Sequence, residues 1–288
     1  MRQQALIKLP GISLNLVTHG NPEHRPLLML HGFPDFHYGW RHQAPFFADR
    51  GYFVLTPDQR GFNLSEKPAV IQDYSMDRLG QDILQLLDHV NTGPLTVIGH
   101  DWGGAVAWWL AHHHPERLLQ LVTLNMPHPQ ILKDFIRHHR PQTFKSWYML
   151  FFQLPWLPEW ILSWSGYVHF ANVLKEGGKR GSFTQDDLKH YREAWARPEA
   201  MKAMLNWYRA AWRFPAGYPQ SPVSVPTLMF WGLKDPHLVS EMIQPSLDLC
   251  SQARCIRLKH AVHWPQLDEF EAVNDHLLAF LRQADAST

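Results

Sequence analysis

Leu95-Thr96-Val97-Ile98-Gly99-His100-Asp101-Trp102-Gly103-Gly104-Ala105-Val106-Ala107-Trp108-Trp109-Leu110 decides the fold of this chain. A short apolar run with β-branched residues reads as a buried strand ending at Ile98. After Gly104, the run rich in Ala, Val and Trp reads as a helix. Between them Asp101 sits in a small-x-Asp-x-small frame, with Gly99 on one side and Gly103 and Gly104 on the other. An isolated Asp ahead of a helix is ordinarily a cap for the helix N-terminus. Glycines on both sides point instead to a nucleophile elbow, a sharp strand-to-helix turn that lets the chain pass close to its neighbours and thrusts the central side chain into a site.

Working outward, short apolar runs bounded by turn residues recur at 27–30, 52–56, 95–98, 119–124, 227–231 and 255–258. Their length suits buried strands, and helix-length amphipathic stretches at 76–90 and 270–281 alternate with them. The spacing predicts an α/β domain with a largely parallel sheet. From about 129 to 217 the alternation stops, and aromatic and helix-forming residues take over. This reads as a helical insertion (129–217) splitting the core into 1–128 and 218–288. Aromatic residues between Phe144 and Phe170 suit either a core or the lining of an apolar site.

An elbow nucleophile needs an acid and then a histidine later in the chain. Asp235 follows the strand TLMFWG, at the strand end where ligand sites of parallel sheets gather. His263 follows CIRLK and directly precedes the last helix. Leu30-His31-Gly32-Phe33-Pro34 follows another strand and is placed to aim a backbone N–H into the site, so the N–H groups of Phe33 and Trp102 are the expected oxyanion pair. The Asp58–Ser65 stretch reads as a loop tie at the edge of the sheet, and the run His112-His113-His114 as an exposed helix end, since adjacent helical residues cannot all face one metal.

Composition excludes several function classes. Lys and Arg number 27 against 26 Asp and Glu, which gives no basic field for nucleic acid. Cys250 and Cys255 are too few for a disulfide framework and have no matching histidine cluster for structural zinc, so a reducing, cytoplasmic setting is expected. The N-terminus has no unbroken apolar run of the signal-peptide kind. Gln153, Pro155, Pro158 and Glu159 interrupt the most apolar stretch, which excludes an integral membrane segment there.

HGFPDFHYGWR (31–41), DQRGFNLS (58–65) and GHDWGG (99–104), taken with Asp235 and His263, resemble the α/β-hydrolase-fold epoxide hydrolases over nearly the whole chain. The resemblance implies a mostly parallel central sheet flanked by helices, with the inserted helices as a cap over the site. It implies a small-molecule epoxide and water as the partners, and neither metal nor organic cofactor. SWYMLFFQ (146–153) and LNWYRAAW (205–212) are similar to the family's cap segments, which gives Tyr148 and Tyr208 as donors to the epoxide oxygen. It further suggests His31, Pro34, Trp147 and Phe151 as pocket residues.

Haloalkane and fluoroacetate dehalogenases share the Asp nucleophile and form the first alternative. Where haloalkane dehalogenases commonly carry Asn after the His-Gly pair, this chain has Phe33. Where fluoroacetate dehalogenases carry arginines after the nucleophile, it has Trp102 and residues about Val106. A non-catalytic binder on the same fold is the second alternative. One departure from the family pattern is Val262, at a position before the histidine that is often Gly. The sequence leaves a homo-oligomer open.

Overall fold

Residues 27–30 illustrate how the core is built: along β3 (Arg25–Leu30) the side chains alternate between the two faces of the sheet. Leu28 and Leu30 join the apolar cluster on one face, and Leu27 and Met29 the cluster on the other. β4 (Tyr52–Pro57), β5 (Leu95–His100), β6 (Leu118–Leu124) and β7 (Thr227–Gly232) are buried the same way. Strands covered on both faces read as continuous apolar runs, which is why their sequence marks a parallel sheet. The computed structural model describes residues 1–285.

The sheet has eight strands in the order β1-β2-β4-β3-β5-β6-β7-β8, with β8 spanning Ala253–Leu258. From β4 across to β8 every neighbouring pair is parallel. β1 (Arg2–Leu9) and β2 (Ile12–His19) form an antiparallel hairpin closed by Pro10 and Gly11, the latter at φ +82°. This hairpin extends the predicted parallel sheet at one edge: β2 runs against β4, and β1, turned back once more, runs with the parallel strands.

α2 (Met76–Val90) and α3 (Trp102–His113) pack on one face, and α1 (Gln43–Ala48) and α13 (Phe270–Asp285) on the other. α3 is buried from Gly103 through Ala111, which accounts for its lack of a polar stripe. Two short helices, α11 (Ile243–Leu247) and α12 (Pro265–Asp268), flank β8.

Between β6 and β7 the chain forms α4 (Pro129–His138), α5 (Arg140–Lys145), α6 (Trp147–Phe151), α7 (Leu157–Ser163), α8 (Val168–Glu176), α9 (Gln185–Trp195) and α10 (Ala200–Arg213). These helices are fastened to the loops at the C-terminal ends of the strands. Trp195 Nε1 donates to the Pro34 carbonyl at 2.7 Å, Tyr191 OH to Asp35 at 2.9 Å and Trp207 Nε1 to the Arg60 carbonyl at 3.0 Å. The Asp58–Ser65 loop is the expected tie. Asp58 accepts from Asn15, His37 and Asn63, and Arg60 makes a two-pronged ion pair with Asp82, both contacts 2.6 Å. Among the described residues no helix is long and apolar enough to cross a membrane.

Candidate active site

Asp101 ends β5 and starts α3 at φ +48°, ψ −122°, a conformation rare for a residue with a side chain. The glycines around it make the bend possible. A Cβ on Gly99 would strike the Gly103 carbonyl, and one on Gly103 the carbonyls of Leu30 and His31. Although Asp101 holds the N-cap position of α3, its side chain makes no capping hydrogen bond. Its Oδ1 instead accepts from the Phe33 N–H at 2.8 Å, and its Oδ2 lies 3.7 Å from His263 Nε2.

On the far side of the imidazole, His263 Nδ1–H donates to Asp235 Oδ2 at 2.8 Å. Asp235 Oδ1 accepts the backbone N–H groups of His237, 2.7 Å, and Leu238, 3.0 Å. Burial would raise the Asp235 carboxyl, but the charge and hydrogen bond of His263 outweigh it and hold the group at about 2. Burial would lower His263. Asp235 and Asp101 outweigh that and push it up to about 10, so the resting imidazole is charged between two carboxylates. For Asp101 too, burial acts upward and is outweighed by His263, which keeps the carboxyl below the usual range.

Two residues to which the sequence assigned no role, Asn125 and His100, complete this arrangement. Asn125, at φ +42° just beyond β6, donates to Asp235 Oδ2 and at 3.2 Å to the Val262 carbonyl, and accepts the Gly232 N–H at 2.8 Å. It locks the acid loop to the histidine loop. His100 lies behind His263 and donates from Nε2 to its carbonyl at 2.8 Å; burial lowers it to about 3 and keeps it neutral. Val262 fits without a left-handed backbone, its N–H held by Asp268 at 2.7 Å.

The helical layer closes over Asp101 with aromatic rings. Tyr148 and Tyr208 face each other at 6.0 Å between centroids, and Tyr208 stands edge-on to Trp102 at 5.0 Å and Phe33 at 5.2 Å. Phe152 and Phe170 each lie 5.8 Å from Phe33. Burial first, and then the negative charge of Asp101 among other groups, drive both tyrosines well above the ordinary phenol range. They are held as O–H donors. The His237 ring fits between, 5.0 Å from His263 and 5.7 Å from Tyr148.

Several expected pocket residues are placed differently. Trp147 is 65% exposed on α6, and Phe151, 6.2 Å from it, is half-buried. Helical spacing sends Tyr148 and Phe152 inward and Trp147 outward, and leaves Phe151 at the edge, packed against the core. Phe152, not Phe151, meets the Tyr148 and Tyr208 rings, at 5.5 and 5.0 Å. His31 is buried, with Nδ1–H on the Gly32 carbonyl at 2.9 Å and Nε2 accepting from the Gln59 N–H at 3.0 Å. Both nitrogens shape the Phe33 loop and neither is left for a ligand. Pro34 is buried in that loop after a cis bond from Phe33, with its carbonyl on Trp195. His112 is also no exposed helix end: its Nε2 meets His128 Nε2 at 2.6 Å.

Residues 25–270 match the family described as alpha/beta hydrolase fold. Over 272 residues the chain is 39% identical to AB hydrolase superfamily protein YfhM of Bacillus subtilis, covering 94% of this chain and 95% of that one. It is 33% identical to Epoxide hydrolase 4 of Homo sapiens, over 96% of this chain and 78% of that one. The crystal structure of Bacillus megaterium epoxide hydrolase in complex with an inhibitor superposes with a TM-score of 0.89 at 29% identity, covering 96% of this chain and all of that one. The chain belongs to the alpha/beta hydrolase fold family and, within it, to the epoxide hydrolases.

Proposed function

We propose that the chain opens an epoxide by covalent catalysis at Asp101 and releases a vicinal diol. The observation that carries this reading is the posture of Asp101, which leaves its helix uncapped, gives Oδ1 to the Phe33 N–H and turns Oδ2 toward His263. In the first step Oδ2 bonds to an epoxide carbon, the ring C–O bond breaks, and Tyr148 or Tyr208 gives its proton to the ring oxygen. The alkyl ester that forms carries no charge.

Loss of that charge is the pivot of the cycle. Asp101 raises both phenols and His263, so alkylation lowers all three together. The imidazolium proton then passes, in net terms, to the tyrosinate, which leaves a neutral imidazole only once there is an ester to hydrolyse. His263 takes a proton from water as the water oxygen bonds to Asp101 Cγ, and the N–H groups of Phe33 and Trp102 hold the oxyanion on Oδ1. Collapse breaks the Cγ–Oδ2 bond. The departing diol oxygen takes the proton left on the added hydroxyl, restoring the carboxylate and the imidazolium. Aromatic walls at Phe33, Trp102, Phe152 and Phe170 favour an epoxide bearing an apolar or aryl substituent.

Intact mass spectrometry of His263→Gln exposed separately to terminal epoxides and haloalkanes tests the reading. The expected result is a gain equal to one whole epoxide, absent when Asp101→Ala is added. An alkyl adduct with halide lost, and none from epoxides, would favour carbon–halogen cleavage; no adduct from either would remove the covalent role of Asp101.

A further inference from the structure

The outer surface of the helical layer carries an apolar face that nothing in the fold covers. Of the 17 large apolar side chains exposed among the described residues, 12 fall within 129–217, and all five exposed tryptophans are among them. Trp156, Trp160 and Trp164 repeat at four-residue spacing along and beside α7, at 72%, 58% and 59% exposure, with the last two stacked at 5.7 Å. Leu154 and Ile161 lie exposed along the same segment. Apolar patches of this kind on a folded protein mark an interaction surface.

Charge separates with the same boundary. Residues 129–217 hold 13 Lys and Arg against 7 Asp and Glu, a formal +6, whereas the remainder holds 14 against 19, a formal −5. The near-neutral whole is thus a dipole with its positive end on the tryptophan-bearing side. Two of the acids nearest the patch are already paired, Glu159 with Arg209 at 2.6 Å and Glu199 with Lys202 at 3.5 Å. Trp156 and Trp160 also wall an open groove of about 460 Å³, whose charged lining is Arg197 and Lys202 with the already paired Glu159 and Glu199.

We infer that this face adsorbs to an anionic lipid bilayer, with the tryptophans at the level of the headgroups and the basic side chains on the lipid phosphates. Indole rings favour the membrane–water boundary because one part is apolar and the N–H stays hydrated. Basic residues add attraction to anionic lipid that falls off within a Debye length. A second copy of the chain fits this face less well, since a two-fold contact would set one positive surface against another. The acidic remainder of the molecule turns the dipole the right way round. α6, which packs Tyr148 near Tyr208, adds exposed Trp147 and Leu150 to the apolar surface of the layer.

Co-sedimentation of the native chain with phosphatidylcholine vesicles, with and without phosphatidylglycerol, tests this. No substrate is involved, so the outcome is independent of the catalytic assignments. Binding on the order of tenfold tighter to the anionic vesicles is expected. Raised salt should weaken it, and the triple variant Trp156→Ser, Trp160→Ser, Trp164→Ser should lose it while keeping its melting temperature. Failure of the native chain to bind either vesicle, or undiminished binding by the triple variant, overturns the inference. So does a dimer in sedimentation equilibrium that the triple variant dissolves, which would make a second copy the occupant.

Discussion

Asp101 carries a charge that reaches three other groups in the site, so its removal has consequences that distance alone would not suggest. His263 stands at about 10 because two carboxylates outweigh the cost of burying its charge. In Asp101→Asn one carboxylate remains, and the imidazole pKa must fall. An NMR titration of the His263 ring should show its midpoint lowered from the native value; an unmoved midpoint would separate the nucleophile's charge from the base and undo the proposed timing. Asp101, Asp235 and His263 were legible in the sequence because each lies next to a strand end and one carries a dense local motif. Asn125 was not, since a single residue in a left-handed turn leaves no pattern while bridging Gly232, Asp235 and Val262. His31 was misread for the opposite reason: it lies within a motif, yet both its nitrogens serve the backbone.

Strands were legible where they carry an unbroken apolar run. β3 to β7 are covered on both faces and read that way, whereas β1, with RQQALIKL largely exposed at the sheet edge, has no such run, and β2, with Asn15 buried among its apolar residues, breaks it. α6 shows the limit of composition most sharply, because aromatic residues stand on both of its sides and only the helical phase tells them apart. That phase makes a prediction. Phe152→Ala removes a buried ring from the contacts with Phe33, Tyr148 and Tyr208 and should cost about 3–5 kcal/mol of stability. Trp147→Ala, on the exposed side, should change stability by less than about 0.5 kcal/mol. Thermal or urea unfolding reads the difference, and equal losses in the two variants would mean that the phase assigned to α6 is wrong.

At the scale of the molecule, the helical layer is anchored to the loops that carry the chemistry, so the protonation of the site is coupled to the stability of the whole. Gln142 of α5 donates to the His237 carbonyl at 2.8 Å and accepts the Val239 N–H at 3.0 Å, and Lys145 Nζ donates to the Asp235 carbonyl at 2.8 Å. The Asp235 carboxyl is lowered from 3.8 to about 2. Its contribution is therefore present above 3.8 and lost as pH falls through about 2. His263 is raised from 6.5 to about 10, so its contribution is complete below 6.5 and lost as pH rises through about 10. The pair contributes fully between about pH 4 and 6.5. Asp235→Asn removes the acid limb of this dependence, and it shrinks the alkaline limb without abolishing it, because Asp101 still faces His263. Subtracting the variant's unfolding free energy from that of the native chain across pH should give a plateau in that interval, falling on both sides. A flat difference would mean that the shifted groups do not feed into folding, and a single fall toward acid would leave His263 without the raised pKa on which the proposed cycle depends.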